Sequence, residues 1–430
     1  MMRMLWSLMF VLFAGQALAI EVQSWQTQGG TRVMYVHVPQ LPMVNLQVMF
    51  DAGSARDGEL PGQANLLNEL LLEGAGKWNA DELARELESR GIEVSTHTGR
   101  DMASITLRSL SDKNILTPAL DMLAAMVSAP GLDPAAIERV KARTLAELRL
   151  ASQSAEEVAD REMMQALYGD HPYAHDPLGT ETSLGQIDAA ALRAFHQHYY
   201  TQANAVVALV GDVDRTQAEI LVAHVLDGLP VGQKAAPLAQ PKPGKARVLH
   251  KDFPASQTHL YLGMLGISRE DPDYFPLVVG NHILGGSGLT SIMGEEVRNK
   301  RGLSYGISSY FSPLRVAGPW MLTAQTKNSQ ARKTLELMTS LLRDFIDEGP
   351  TRKQLQAAKK HLAGGFPLKL SSNKKILSQI STMAFYDLPP DWLDTWPAHV
   401  EQVTRAQIHR SFRRRMPMKH LIQVTVGGGK

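Results

Sequence analysis

One stretch, Leu229 to Arg247 (LPVGQKAAPLAQPKPGKAR), divides the chain almost in half and is rich in Pro, Gly, Ala and Lys without apolar periodicity. Such a segment reads as an exposed linker. At 430 residues the chain is too long for one ordinary core. Two units are therefore expected, over 20–230 and 248–430, joined by 231–247. The same order of elements recurs on both sides. Val44–Phe50 alternates as a strand, Asp51–Gly58 turns, and Pro61–Leu72 reads as a helix stopped at Gly74. In the second half the corresponding pieces are Thr258–Gly263, Asp271–Asp273 and Tyr274–Leu284, stopped at Gly285-Gly286. Each half closes on a strand followed by glycine, Ala205–Val210 and Leu421–Val426. Long helices between the strands, Asp81–Arg90 and Pro134–Leu150 among them, predict an α+β class. The expectation is two similar tandem domains, each a mostly antiparallel sheet packed with helices.

Lys and Arg number 44 against 43 Asp and Glu, a net charge of +1, which gives no field for a nucleic acid. Arg410, Arg413, Arg414 and Arg415 cluster locally and read as a solvated helix face. Arg3, the apolar run Leu5–Ala14 and the small residues of Ala17-Leu18-Ala19 predict a signal peptide over 1–19, cleaved after Ala19. Export, to the periplasm of a Gram-negative host, is the corresponding expectation. No later stretch is long and apolar enough for a membrane span. The absence of cysteine excludes disulfides, thiolate zinc ligands and a thiol nucleophile. No Gly-x-Ser-x-Gly elbow, Walker loop or dinucleotide fingerprint occurs at a strand-to-helix junction.

Several segments, in order, resemble the pitrilysin/insulinase zinc peptidases, the inverted zincins. In the first half these are Asp51-Ala52-Gly53-Ser54-Ala55-Arg56-Asp57, Leu167-Tyr168-Gly169-Asp170-His171-Pro172-Tyr173, Phe195-His196-Gln197-His198-Tyr199-Tyr200 and Val210-Gly211-Asp212-Val213. In the second they are Gly285-Gly286-Ser287-Gly288-Leu289 and Arg298-Asn299-Lys300-Arg301-Gly302-Leu303-Ser304-Tyr305. The family's motif is His-x-x-Glu-His on a helix, with a later Glu as third ligand. Histidines at i and i+4 share one face and reach one zinc, while the Glu activates water.

Here the matching helix reads Asn65-Leu66-Leu67-Asn68-Glu69, so both histidines and the catalytic Glu are missing. Glu147 falls about where the third ligand would. One amide and two carboxylates suit calcium or magnesium better than zinc. The plainer reading is a polar face, with Ala64, Leu67 and Leu71 packed inward and Asn65, Asn68, Glu69 and Leu72 turned away. His171 with His175, and His196 with His198, read as surface or capping residues rather than replacement ligands.

Arg298 and Tyr305 stand seven positions apart, the family's separation for a pair that reaches a zinc site from the second domain. The resemblance implies that Tyr305 donates to the oxyanion and that Arg298 holds substrate backbone or orients the tyrosine. Two plainer readings stay open: Arg298 pairs with Glu295 on a helix over Leu289–Lys300, or Tyr305 is a core aromatic alternating with Leu303, Ile307 and Phe311. The implied function is a non-metallated subunit that completes the site of a homologous zinc-binding peptidase subunit acting on peptides. Zinc is expected on that partner, and no cofactor in this chain. The alternative is a non-catalytic peptide-binding or assembly scaffold.

Overall fold

A computed structural model describes residues 20–428, so the signal-peptide reading of 1–19 lies outside the described residues. The first half contributes β1 (Gln23–Gln26), β2 (Arg32–His37), β3 (Met43–Phe50), a short ladder of β4 (Gly74–Ala75) with β5 (Trp78–Asn79), then β6 (Glu93–Thr98), β7 (Ala103–Leu110) and β8 (Ala205–Gly211). The second contributes β9 (Arg247–Asp252), β10 (Gln257–Leu265), β11 (Ile307–Phe311), β12 (Pro319–Lys327) and β13 (Ile422–Gly427). The main sheets run β1-β2-β8-β3-β7-β6 and β11-β12-β10-β13-β9. In each a single pair is parallel, β2 with β8 and β13 with β9. Without β1, the first order is that of the second read from its other edge, with the parallel pair in the same place. The two domains repeat one α+β topology.

Local chemistry fixes the helices. Asn79 and Glu82 form a capping box at Ala80–Ser89, and Asp133 caps Pro134–Ser152 with Pro134 in the first turn. The helix expected over Pro61–Leu72 is shorter, Gln63–Leu70, because Gly62 enters it at φ 95°. The helix expected over Tyr274–Leu284 is α-helical to Asn281 and then widens into a π-type turn, His282–Gly286.

Each sheet covers one face with its own helices and the other with a helix from the opposite domain. Helix Ala155–Tyr168 packs on β10 and β13, placing Ala159, Met163 and Met164 against Tyr261, Met321 and Val424. Helix Asn373–Phe385 packs on β2, β3 and β8, placing Ile376, Ile380 and Ala384 among Met34, Met49, Ala208 and Val210. Strand β8 is thus interior: Val207 and Leu209 face the first core, while Ala208 and Val210 face the second. This accounts for its unbroken apolar run. At Gly263 on β10 the incoming helix comes so close that a Cβ would lie 2.4 Å from Met163 Sδ.

A buried carboxylate ties the domains at their seam. Asp101, 2% exposed, accepts from the Tyr173 hydroxyl of its own domain. It also accepts from the Tyr386 hydroxyl at 2.9 Å and the Arg315 backbone N–H at 2.8 Å, both of the second domain. Burial, followed by the Asp101 charge, raises both tyrosines above their ordinary pKa, which keeps them as donors. The segment between the domains is exposed along most of its side chains, yet its backbone is strapped down. Pro230 and Val231 carbonyls accept from Gln202 and Ala203, and the Ala236 carbonyl accepts from Arg56 at 2.7 Å. Side-chain composition reports exposure and is silent on such backbone bonds.

The basic cluster is only partly a solvated face. Arg414 and Arg415 are engaged with Asp273, and Arg415 also with Asp271. With Ser411 Oγ, 2.8 Å from Asp273, they clamp helix Arg405–Arg415 to the start of helix Tyr274–Asn281. The sequence shows the positive run but not that two acids stand opposite it.

Two outcomes follow from these anchors. Asp101→Ala strands two tyrosine hydroxyls and is expected to cost about 3 kcal/mol in urea unfolding. Asp273 is raised by burial, but donors from Arg414, Arg415 and Ser411 outweigh this and hold its pKa below the ordinary value. Its stabilisation is therefore present above the unfolded pKa, about 3.9, and is lost as pH falls through the lower folded value. The thermal midpoint should drop more steeply below about pH 4 in the parent than in Asp273→Asn.

Candidate functional site

Helix Gln63–Leu70 is held at its entry by Asp57, whose carboxyl accepts from the Gly62 and Ala64 backbone N–H groups at 2.7 Å. Burial raises the Asp57 pKa to about 7, against the lowering effect of those two donors. The reading of Asn65, Asn68 and Glu69 as an outward face does not hold. Asn65 and Asn68 are buried, the latter to 2% exposure. Asn68 Nδ2 donates to Thr98 Oγ1 at 3.0 Å and to the Ser104 carbonyl at 3.2 Å, tying the helix to β6 and β7. Asn65 donates to Glu69 at 3.2 Å. Outward positions exist on this helix only in a free-standing pattern; here the sheet covers one side and helix Pro134–Ser152 part of another.

Glu69 meets a cation on that second helix. Arg143 Nη2 lies 2.8 Å from Glu69 Oε2, and Arg143 and Arg139 both engage Glu73. The hydrogen bond that Arg143 donates to Glu69 raises the Arg143 pKa above its ordinary value. Glu147 follows Arg143 by four residues, one turn further along the same helix. Glu147 is exposed there and makes no ion pair or hydrogen bond with Asn65 or Glu69 among the described residues.

In the second domain, the expected helix over Leu289–Lys300 is instead a 3₁₀ turn, Gly288–Thr290, followed by a π-type turn, Gly294–Asn299. Glu295 pairs with Asn299, and Glu296 with Lys300 and Arg301. Arg298 therefore does not take the i−3 glutamate. Tyr305 is no core aromatic either: β11 begins only at Ile307, and Tyr305 is 77% exposed. The Arg298 guanidinium lies over the Tyr305 ring, 4.6 Å from its centroid. The structure brings these two together. It brings neither into hydrogen-bonded or ionic contact with Asn65, Asn68, Glu69 or Glu147 among the described residues.

His171 caps the turn Pro172–Ala174 through Nδ1, as expected. His196 is half-buried with Nε2 2.8 Å from the Val127 carbonyl, a structural role. No three His, Asp, Glu or Cys side chains converge as a metal-holding group among the described residues.

The profile for Insulinase (Peptidase family M16) matches residues 32–181, and that for the Peptidase M16 inactive domain matches 186–362. A crystal structure described as a peptidase M16 inactive domain from Pseudomonas fluorescens is 37% identical, with a TM-score of 0.92, over 96% of this chain and 99% of that one. This chain belongs to peptidase family M16. Its relatives include the "Non-peptidase homolog YmxG" of Helicobacter pylori, 29% identical over 95% of this chain and 94% of the relative. Another is the "Uncharacterized zinc protease YmxG" of Bacillus subtilis, 24% identical over 83% and 87%.

The zinc of M16 peptidases does not fit the donors this chain presents at the equivalent helix. One amide is consumed inside the core, the other faces a carboxylate, and that carboxylate is neutralised by Arg143. A fixed positive charge lies where a cation would have to bind. Sequence reading missed Arg143; its only signal is the i−4 position before Glu147 on the same helix face. Removing each polar group separates architecture from residue of the old site. Asn68→Ala is expected to cost about 2 kcal/mol by urea unfolding, since it strands buried acceptors. Arg143→Ala, at a pair 49% and 22% exposed, should cost under about 1 kcal/mol.

Proposed function

We propose that this chain is the non-metallated subunit of a two-chain M16 peptidase. It would lend Arg298 and Tyr305 to the site of a homologous partner that carries His-x-x-Glu-His and the zinc. The observation that carries the reading is the exposure of Tyr305 with Arg298 stacked on it, neither consumed by the fold. An aromatic hydroxyl held in solvent by a 3₁₀–π loop does nothing for the core and is free to meet a second surface. There Tyr305 would donate to the oxyanion developing on a peptide carbonyl, and Arg298 would bind substrate backbone or orient the ring. The site on Asn65, Asn68 and Glu69 would play no chemical part. Export to the periplasm of a Gram-negative host belongs to the same proposal.

Peptide cleavage measured with this chain, with the partner, and with both together tests this directly. Activity is expected only in the mixture, and a partner indifferent to this chain sinks the reading. In the mixture Tyr305→Phe should lower kcat about 10²-fold, the scale for one oxyanion donor. A second reading, a non-catalytic scaffold, is favoured by the likeness to the Helicobacter pylori relative, a non-peptidase homologue. An assembly recovered with this chain but free of peptidase activity would support it.

A further inference from the structure

The duplication allows each position of the first domain to be compared with its repeat. Helix Gln63–Leu70 follows β3 and meets helix Pro134–Ser152; helix Tyr274–Asn281 follows β10 and, through His282–Gly286, meets helix Arg352–Gly365. Where the first contact sets Glu69 against Arg143, the second sets His282 against His361. Their rings stack with centroids 4.9 Å apart and planes inclined by 24°. No acid joins them. On one side is a cavity of about 560 Å³ lined by both histidines, Lys353 and the hydroxyls of Ser287, Thr290 and Thr351, with no Asp or Glu in its wall. On the other is a cavity of about 620 Å³, again without acids, which His282 shares with Arg269. The Arg269 Nε is buried and has no hydrogen-bond partner.

The basic groups around His282 are His361 and Lys353 from helix Arg352–Gly365, Arg269 from the segment after β10 and, outside the two cavity walls, Lys369 from the turn Phe366–Leu370, while Tyr274, Tyr310 and Tyr386 add phenol hydroxyls to the second cavity. Burial first, then His361 and Lys369, pushes the His282 pKa down to about 4. Positive groups gathered around cavities without a counter-charge leave a site in which one negative group gains several charge-assisted hydrogen bonds at once.

We propose that the cavity between His282, His361 and Lys353 is an oxyanion site that takes a carboxylate or phosphate group. The Lys353 ammonium supplies charge, and the imidazole N–H groups and the Ser287 hydroxyl supply neutral donors, while the Thr290 and Thr351 hydroxyls are engaged with Ser287 and Gln354. A bound anion favours protonated imidazole, so affinity rises as pH falls toward the His282 value of about 4. The site is a property of this chain alone and stands whether or not a zinc-bearing partner exists.

The test uses the full chain with isotope-labelled histidines, titrated at pH 5 and 7.5 with inorganic phosphate, with a short N-acetylated peptide acid, and with the same peptide as its C-terminal amide. The His282 and His361 ring signals should shift saturably with phosphate, the peptide acid or both. The amide should bind at least about tenfold more weakly than the acid. Saturation by phosphate alone marks a free anion as the ligand; saturation by the peptide acid marks a chain terminus or acidic side chain. Lys353→Met and His361→Gln should each weaken binding about tenfold. If a variant does not fold, the acid and amide arms on the parent chain decide alone. Ring signals that stay still into the millimolar range, or an affinity indifferent to both variants, overturn the proposal.

Discussion

The rest of the structure depends on an exchange of helices between two copies of one topology. Each sheet is left half-covered by its own domain and is completed by a helix of the other, Ala155–Tyr168 on the second sheet and Asn373–Phe385 on the first. A sheet face stripped of such a helix would expose Met34, Met49, Ala208 and Val210, a penalty of several kcal/mol at ordinary transfer values. Neither half is therefore a self-sufficient core. The buried Asp101 adds direction to this apolar contact, since its three donors are satisfied in one relative placement of the domains.

Against that frame the lost metal motif has a physical explanation beyond missing ligands. The helix Gln63–Leu70 is retained because it is a core element, pinned by Asp57 at its start and by Asn68 in its middle. Asn65 and Asn68, at two of the three motif positions, make internal polar contacts, and Glu69, at the third, is paired with Arg143. The second domain shows the opposite pattern. There a tyrosine is kept out of the core by a loop that abandons regular α geometry, and its neighbours Glu295 and Glu296 find partners other than Arg298. The first repeat thus spends its polar groups inside the fold, while the second leaves Arg298 and Tyr305 stacked at the surface.

Period and punctuation made the fold legible. The alternation in Val44–Phe50, the glycines after Val210 and Val426, and the recurrence across Leu229–Arg247 identify paired strands and a repeat. Spacing and family resemblance single out Arg298 and Tyr305, which the structure stacks on one another. What escaped is what needs the third dimension. A helical wheel assigns Asn65 and Asn68 outward, yet a sheet and a second helix enclose that helix on more than one side. Tyr305 looked strand-like because its neighbours alternate, while the backbone forms β structure only from Ile307. Arg143 and Glu69 lie 74 positions apart, and no local pattern pairs them.

The strapped segment between the domains gives the chain an unusual mechanical character. Because carbonyls of Pro230, Val231 and Ala236 are bound to the first domain, and the helices are exchanged beyond it, covalent continuity adds little to what holds the halves together. Chain continuity and domain contact are thus separate ties, and a cut in that segment would still leave both exchanged helices and the Asp101 hydrogen bonds in place.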